Sequence, residues 1–490
     1  MRKICQLLKL HFLTPYALLL LYRAKKKHGN NLCFLLKFAA DYYTDKIAVA
    51  DEHTRLNFKQ LYEKVLALSF VIKKHIPRAT DVTAMLVCNN SVNHILALYA
   101  LQNSGMKLVL VNDKLLPSDI QKIVSKQSGD CIVFGSASAV ENSIDVDELI
   151  AATTADKPEQ YFSRANARVV FPTSGTTGDV KLIEKKSGEF YWLQSFADLV
   201  QRTAIDKRSS VYIAVPVSHG FGYTALLFTL VLGKKAVITS EKNTLAFPGF
   251  MGQEKVDILV GVPTALYKVA GQLAVQHTVH TIISGGAALN ETVFNKLAVL
   301  TNNIFSMYGS TETSTSFIAN YEQLKRDVCA LGTPLKGVNY RLQPLPGGEK
   351  ELIIQSPLSN AGSRLDWIGT GDLVEETATG DIIWRSRKDD MIIKMGVNIY
   401  PIEIEKELMQ LACVEDAYVT GERDAIKGEI IIAFIKLKPG SSFDEAIIIK
   451  NLRFVLPGIK IPDKLQVVER FNYTSTGKKV KPLIFNILAG

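Results

Sequence analysis

A short apolar run, Ala167 to Phe171, leads directly into Pro172-Thr173-Ser174-Gly175-Thr176-Thr177-Gly178-Asp179-Val180-Lys181. The run is β-branched and apolar, and it reads as a buried strand. The loop after it sets hydroxyls beside glycines. Gly175 and Gly178 let the backbone take positive φ and come close to a ligand. Thr173, Ser174, Thr176 and Thr177 add donors, successive N–H groups in such a turn form an anion-binding nest, and Lys181 supplies a point charge for a phosphate oxygen. The stretch reads as a polyphosphate cradle; its bland alternative is a surface loop between strands. It is not a Walker loop, because Gly178 is not followed by Lys and Lys181 is followed by Leu182 instead of Ser or Thr.

The rest of the chain alternates helix-like and strand-like patches. Leu61, Val65, Leu68 and Ile72 share a helical face. Thr83–Val87, Leu108–Val111 and Ile132–Phe134 read as buried strands, with a crossover helix over Ser91–Gly105, the pattern of a largely parallel sheet. After the loop come a helix near Gly188–Arg202 and strands at Val211–Val215, Ala236–Thr239, Ile258–Val262, Thr281–Ser284 and Asn303–Tyr308. Two further helices are expected, one at Tyr223–Leu232 and one capped by Asn290. Polar segments stand at the C-terminal ends of these strands, where open α/β sheets bind ligands. From Leu331 onward Pro and Gly punctuate short strands such as Glu351–Gln355, the texture of a small β subdomain. The charged run Arg385 to Asp390 suits a linker. A helix at Pro401–Leu411 and strands at Ala417–Val419 and Ile430–Ile435 follow.

At 490 residues the chain exceeds one ordinary domain, and its apolar and charged fractions are those of a globular protein. Six scattered cysteines with no C-x-x-C pair argue for a reducing compartment, without a disulfide framework or zinc site. The net charge of +9 is modest for this length, and no nucleic-acid partner is expected. The first forty residues nevertheless hold Arg2, Lys3, Lys9, Arg23, Lys25, Lys26, Lys27 and Lys37 with no Asp or Glu. The apolar run Leu7–Tyr22 among them is too interrupted to span a bilayer. Two readings stay open for it: an interfacial segment meeting anionic headgroups, or a helix packed on the protein's own surface. The placement read is cytoplasmic, with peripheral contact at the inner face of the membrane as one option.

The loop at 173–181 resembles that of the acyl-adenylate-forming enzymes, the superfamily of acyl-CoA synthetases, peptide-synthetase adenylation domains and firefly luciferase, whose loop reads T-S-G-T-T-G-x-P-K. Val180 stands for the proline. Five more stretches match in order and spacing, so the resemblance covers about 170 to 480; the fainter likeness over 1–165 fits the long-chain acyl-CoA synthetase branch. It implies an α/β fold: a large N-terminal domain of stacked α/β sheets with a small β-barrel subdomain, and a small mobile C-terminal α+β domain. The division expected is a basic, apolar segment over 1–30, the large domain over 31–388 and the small one over 389–490.

Residue by residue, the resemblance implies the following roles. In Tyr308-Gly309-Ser310-Thr311-Glu312 the ring stacks on adenine, Thr311 meets phosphate and Glu312, with Thr176, holds Mg²⁺; two polyanions must approach, and a hard cation held by oxygens screens them. The segment Ser284-Gly285-Gly286-Ala287-Ala288 lines the adenine and acyl pocket. Asp372 takes the ribose hydroxyls, and Arg387 reaches ribose or phosphates, although Ser386 replaces the usual preceding glycine. Asp389 is the hinge of a domain rotation between two half-reactions, and Gly396 lies where pantetheine passes. Lys478, in Thr474-Ser-Thr-Gly-Lys, bridges the attacking carboxylate and the α-phosphate; Asn472 stands for the usual proline. His219 gates the acyl site, or is a satisfied structural histidine. Phe221, Gly222 and Tyr223 occupy the region where peptide synthetases carry an aspartate for the substrate's amino group. An ammonium there would be buried unpaired at high cost, so the acid lacks one.

The implied activity uses ATP, Mg²⁺ and coenzyme A to turn a carboxylic acid, expected to be a medium- or long-chain fatty acid, into acyl-AMP and then acyl-CoA. The alternatives are transfer to an acyl carrier protein, an aryl acid as substrate, or a degenerate member that binds acyl groups or nucleotide without turnover.

Overall fold

The structure, a computed structural model, describes residues 14–29, 31–135, 143–153, 160–165, 168–174, 180–185, 193–240, 247–273, 279–310, 312–359, 366–472 and 479. Two α/β sheets make up the large N-terminal domain. One has six strands: Thr83–Cys88 runs parallel to Lys107–Asn112 on one side and to Cys131–Gly135 on the other, and Lys107–Asn112 runs parallel to Arg168–Ser174. The hairpin Arg168–Ser174/Val180–Lys185 closes that edge and brackets the cradle loop.

In the second sheet Ser210–Ile213, Ile258–Gly261, Thr281–Gly285 and Ile304–Ser310 lie side by side and parallel. Ser210–Ile213, Ile258–Gly261 and Thr281–Gly285 are buried at every position, as strands covered on both faces must be. A common core joins the two sheets. It contains the helix Val92–Asn103, buried at every position but Asn93, as its central apolar run Ile95–Leu101 requires. The helix Gly220–Val231 packs into the same core.

Past Ile304–Ser310 the sheet turns antiparallel. It continues through Ser314–Ala319 and Ala330–Pro334 to Ile382–Arg387, Ile368–Glu376, Lys350–Gln355 and Asn339–Pro344, the small β subdomain. The charged run read as a linker begins inside this sheet. Arg385 sits in the strand Ile382–Arg387, ion-paired to Glu375 (2.8 Å) and Asp327 (3.5 Å). Charges met across strands are compatible with a sheet, which the run's composition alone could not reveal.

The small C-terminal α+β domain has its own core, in which the helices Pro401–Gln410 and Glu445–Val455 cover a sheet built on Val414–Asp424 and Gly428–Leu437. It meets the large domain through Lys406 Nζ (3.0 Å) and Gln410 Nε2 (2.8 Å), both on the Glu291 carboxylate. Glu291 opens the helix that Asn290 caps as expected, accepting from the Val293 N–H at 2.8 Å.

Near the N-terminus, Pro15–His28 is a helix capped by Thr14 that packs on the helix Cys33–Tyr43 and buries Ala17, Leu20 and Ala24 in the common core, with His28 Nε2 2.9 Å from the Tyr62 hydroxyl. Among the described residues no helix is long and apolar enough to cross a membrane.

Candidate functional site

Adjacent parallel strands end side by side here, and that brings the predicted residues together. Ser284 pairs with Ser306 and Gly285 with Met307, so Gly285, Gly286 and Ala287 leave their strand beside Tyr308, Gly309 and Ser310. At Gly309 the register slips by a bulge against Ser314–Ala319. A Cβ there would sit 1.9 Å from the Ser314 carbonyl oxygen, so only glycine fits. The turn beyond is tied by Ser310 and Thr313: each side-chain oxygen accepts the other residue's N–H at 3.1 Å. Thr313 is fully buried. Glu312 sits at the corner of that turn, half-buried, its carbonyl accepting from the Ser359 hydroxyl at 3.2 Å. Its carboxylate has no hydrogen bond or ion pair among the described residues. An uncommitted carboxylate in such a turn is a suitable ligand for a hard cation.

Asp372 is the focus of the site and is only 7 % exposed. The Tyr308 hydroxyl donates to its Oδ2 at 2.6 Å, the Trp384 indole N–H to its Oδ1 at 3.0 Å, and Arg387 Nη1 to Oδ1 at 3.3 Å. Arg387 is placed by the sheet, directly opposite Asp372 in the strand register, and Nη1 also donates to the Thr370 carbonyl at 2.8 Å. Burial first, and then the neighbouring Asp372 charge, push the Tyr308 phenol well up. The hydroxyl therefore stays protonated and donates. Trp384 and Thr313 went unnoticed in the sequence. The usable signal for Trp384 was that a partly buried indole N–H needs an acceptor; which acid supplies it depends on strand pairing, since Asp381 is closer in sequence than Asp372.

His219 begins the helix Gly220–Val231 without a side-chain cap. Asn90 holds the loop before it, accepting from the Val217 N–H at 2.9 Å and donating to the Val215 carbonyl at 3.2 Å. Burial lowers the imidazole to about 4, so it is neutral, and its Nε2 is buried with no hydrogen-bond partner among the described residues. Phe221 packs onto Gly285: a Cβ on Gly285 would lie 3.0 Å from the Phe221 Cζ. Tyr223 differs from the expectation that it faces the acyl site. It is 2 % exposed, its ring stands edge-on to Phe171, and its hydroxyl accepts from Gln102 Nε2 at 3.2 Å. Tyr223 shares the buried face of its helix with Leu226, Leu227 and Leu230, which places the ring in the interior.

In the small domain Asp389 is exposed, one residue past the Lys388 N–H bond to the Gly371 carbonyl (2.7 Å). Gly396 stands at the exposed tip of the hairpin Ile392–Lys394/Val397–Ile399. Lys479 donates to Asp416 Oδ1 and, at 2.6 Å, to the Ala417 carbonyl, and its ammonium lies 5.2 Å from the centre of the Phe471 ring. Gly175, Thr176, Thr177, Gly178, Thr311 and Lys478 lie outside the described residues. Thr173, Ser174 and Lys181 are placed by backbone pairing alone, Thr173 opposite Lys181 and Ser174 opposite Val180.

The sequence matches the AMP-binding enzyme family over residues 36–357 and the AMP-binding enzyme C-terminal domain over 403–478. The chain belongs to the AMP-binding enzyme family. Its curated relatives include the 2-succinylbenzoate–CoA ligases of Bacillus velezensis, 25 % identical over 82 % of this chain and 87 % of theirs, and of Listeria innocua, 24 % identical over 88 % and 94 %. Among solved structures it resembles the o-succinylbenzoate CoA synthetase of Bacillus subtilis in complex with its acyl-adenylate intermediate (TM-score 0.78, 22 % identity, 91 % of this chain and 96 % of that one). It also resembles ATP-bound MatB from Rhodopseudomonas palustris (TM-score 0.78, 20 % identity, 92 % and 97 %). At these identities the structures establish the fold of an AMP-binding enzyme, in which the large and small domains described above are the two parts.

Proposed function

We propose that this AMP-binding enzyme is an acid–thiol ligase that uses ATP, Mg²⁺ and coenzyme A, and that its acid is a compact aryl acid. The observation that carries the nucleotide reading is the convergence of Tyr308, Trp384 and Arg387 on Asp372. It fixes an aromatic face and an interior carboxylate at one place, a fitting acceptor for a ribose diol. Thr176 and Glu312 would hold Mg²⁺, which would screen the charge of the triphosphate.

In the first half-reaction a carboxylate oxygen of the acid bonds to the α-phosphorus in line. The bond from that phosphorus to the bridging oxygen breaks, and pyrophosphate leaves with the electron pair. Lys478 places its ammonium between carboxylate and α-phosphate, and the cradle at 173–181 receives the departing phosphates. The small domain then turns about Asp389 and brings Gly396 to the cleft. The thiol sulfur bonds to the acyl carbon, the carbon–oxygen bond to phosphate breaks, AMP leaves, and the thiol proton passes to solvent.

The fatty-acid expectation gives way to an aryl acid on two grounds. The curated relatives above are named for an aromatic acid, and the Phe221 ring already fills the space over Gly285, where a long chain would have to displace it. Neutral His219 can offer its free nitrogen to the acid.

Pyrophosphate release from ATP and Mg²⁺, screened over aryl and alkyl acids with and without CoA, tests the reading. Release with aryl acids and formation of an acyl-CoA support it. A preference for long alkyl acids removes the aryl assignment, thioester formation only on a carrier protein removes CoA, and binding without release identifies a catalytically silent member.

A further inference from the structure

The helix Pro15–His28 lies before the first residue of the family match. Its inner face is buried and accounts for its docking on Cys33–Tyr43. The opposite face is not accounted for. Leu18, Tyr22 and Lys26 follow one another at i, i+4 spacing, and Leu19 and Arg23 form the neighbouring stripe. Leu18 is 36 % exposed, Leu19 44 % and Tyr22 66 %, and Arg23 and Lys26 are exposed as well. Each stripe therefore starts apolar and ends basic. The guanidinium of Arg164 docks on the end of the same helix, with Nη2 on the Lys26 carbonyl at 2.6 Å, adding a cation there. No carboxylate occurs in the first forty residues to neutralise them.

We infer that this outward face is a docking surface for an anionic lipid bilayer, going beyond the ligase reading and independent of it. Large apolar side chains beside lysine and arginine on one exposed helix face are the composition of an interfacial helix: the apolar groups enter the headgroup boundary and the cations meet lipid phosphates. Of the two readings left open by the sequence, the packed helix describes the inner face, and the proposal assigns the outward face to lipid. A second copy of the chain is a poorer occupant. A two-fold contact sets the same patch against itself, and Arg23 and Lys26 would face their own duplicates.

The test is co-sedimentation of the full chain with vesicles of phosphatidylcholine alone or with phosphatidylglycerol added. The chain should pellet with the anionic vesicles and be released by salt, since the Debye length shrinks to about 10 Å at 0.1 M. Leu18→Ser with Tyr22→Ser, and Arg23→Gln with Lys26→Gln, should each lower partition, the second by roughly fivefold per cation removed. Unchanged thermal midpoints show that both variants fold. In the otherwise intact chain Tyr22→Trp gives a second reading, an emission blue shift with anionic vesicles alone. Equal pelleting of parent and variants, no pelleting at low salt, or equal partition to neutral vesicles overturns the inference. So does a dimer that the Leu18/Tyr22 variant abolishes, or capture of an acidic protein with no affinity for vesicles.

Discussion

Asp372 offers the sharpest perturbation of the nucleotide site. Asp372→Ala leaves the Tyr308 hydroxyl and the Trp384 indole N–H without their acceptor in an interior position, whereas Arg387 keeps the Thr370 carbonyl. An interior donor stripped of its partner costs about 1–3 kcal/mol, so the alanine variant should lose roughly 2–6 kcal/mol before relaxation. Asp372→Asn behaves differently. Its carbonyl oxygen can still receive Trp384 and Arg387, while its amide turns toward Tyr308, whose hydroxyl rotates to accept. The fold survives and the negative charge is gone. A hydrogen bond to a charged acceptor exceeds a neutral one by about 1 kcal/mol, so two ribose bonds weakened together cost about 2 kcal/mol, or roughly 30-fold in Kd. Denaturant unfolding and calorimetric titration with AMP read the two effects apart without knowledge of the acid. An alanine variant as stable as the parent, or an asparagine variant with unaltered AMP affinity, refutes the assignment of Asp372.

Lys478→Ala should slow adenylate formation by about 100- to 1,000-fold, the usual cost of removing one charge-stabilising group, yet still convert supplied acyl-AMP to thioester; equal loss of both steps contradicts its role. Asp389→Pro should spare adenylate formation and slow thioester formation by roughly tenfold or more, because a fixed φ stops the rotation; unimpaired transfer removes the hinge. Stability should fall as pH drops from 6.5 toward 4. His28 and His219 are each held near 4 by burial, so over that window the unfolded chain binds more protons, and the about 3 kcal/mol linked to each is present above 6.5 and lost on the way down. Glu405, raised by burial to about 6, runs the other way and offsets part of it. His28→Gln should flatten this acid limb in denaturant titrations, and a slope identical to the parent's would show that His28 is not its source.

Much of the scaffold was readable because parallel strands buried on both faces must be continuously apolar. Thr281–Gly285 and Ile304–Ser310 lie within two residues of where the apolar runs place them, and Asn290 caps its helix as its side chain dictates. What escaped notice depended on pairing. The strand Val414–Asp424 runs well past its apolar stretch Ala417–Val419 because its polar end, Glu422 and Arg423, stays in register with Ile430 and Glu429. Arg385 and Arg387 looked like linker charges because their partners Glu375 and Asp372 lie in another strand. The motif residues Tyr308, Asp372 and Arg387 were legible as types. Trp384 and Thr313, which hold them in place, were not, since neither carries chemistry of its own and both act through bonds that only the folded sheet creates.

In the function proposed above, oxygen- and nitrogen-bearing groups gathered at the ends of these strands activate a carboxylate with ATP. The direct measurement is mass spectrometry of the enzyme-bound product after incubation with ATP, Mg²⁺ and a panel of acids, withholding CoA. An aryl-AMP should accumulate in the parent, form about 100- to 1,000-fold more slowly in Lys478→Ala, and be consumed when CoA is added. ADP as the nucleotide product, or no adenylate from any acid while ATP still binds, would contradict it.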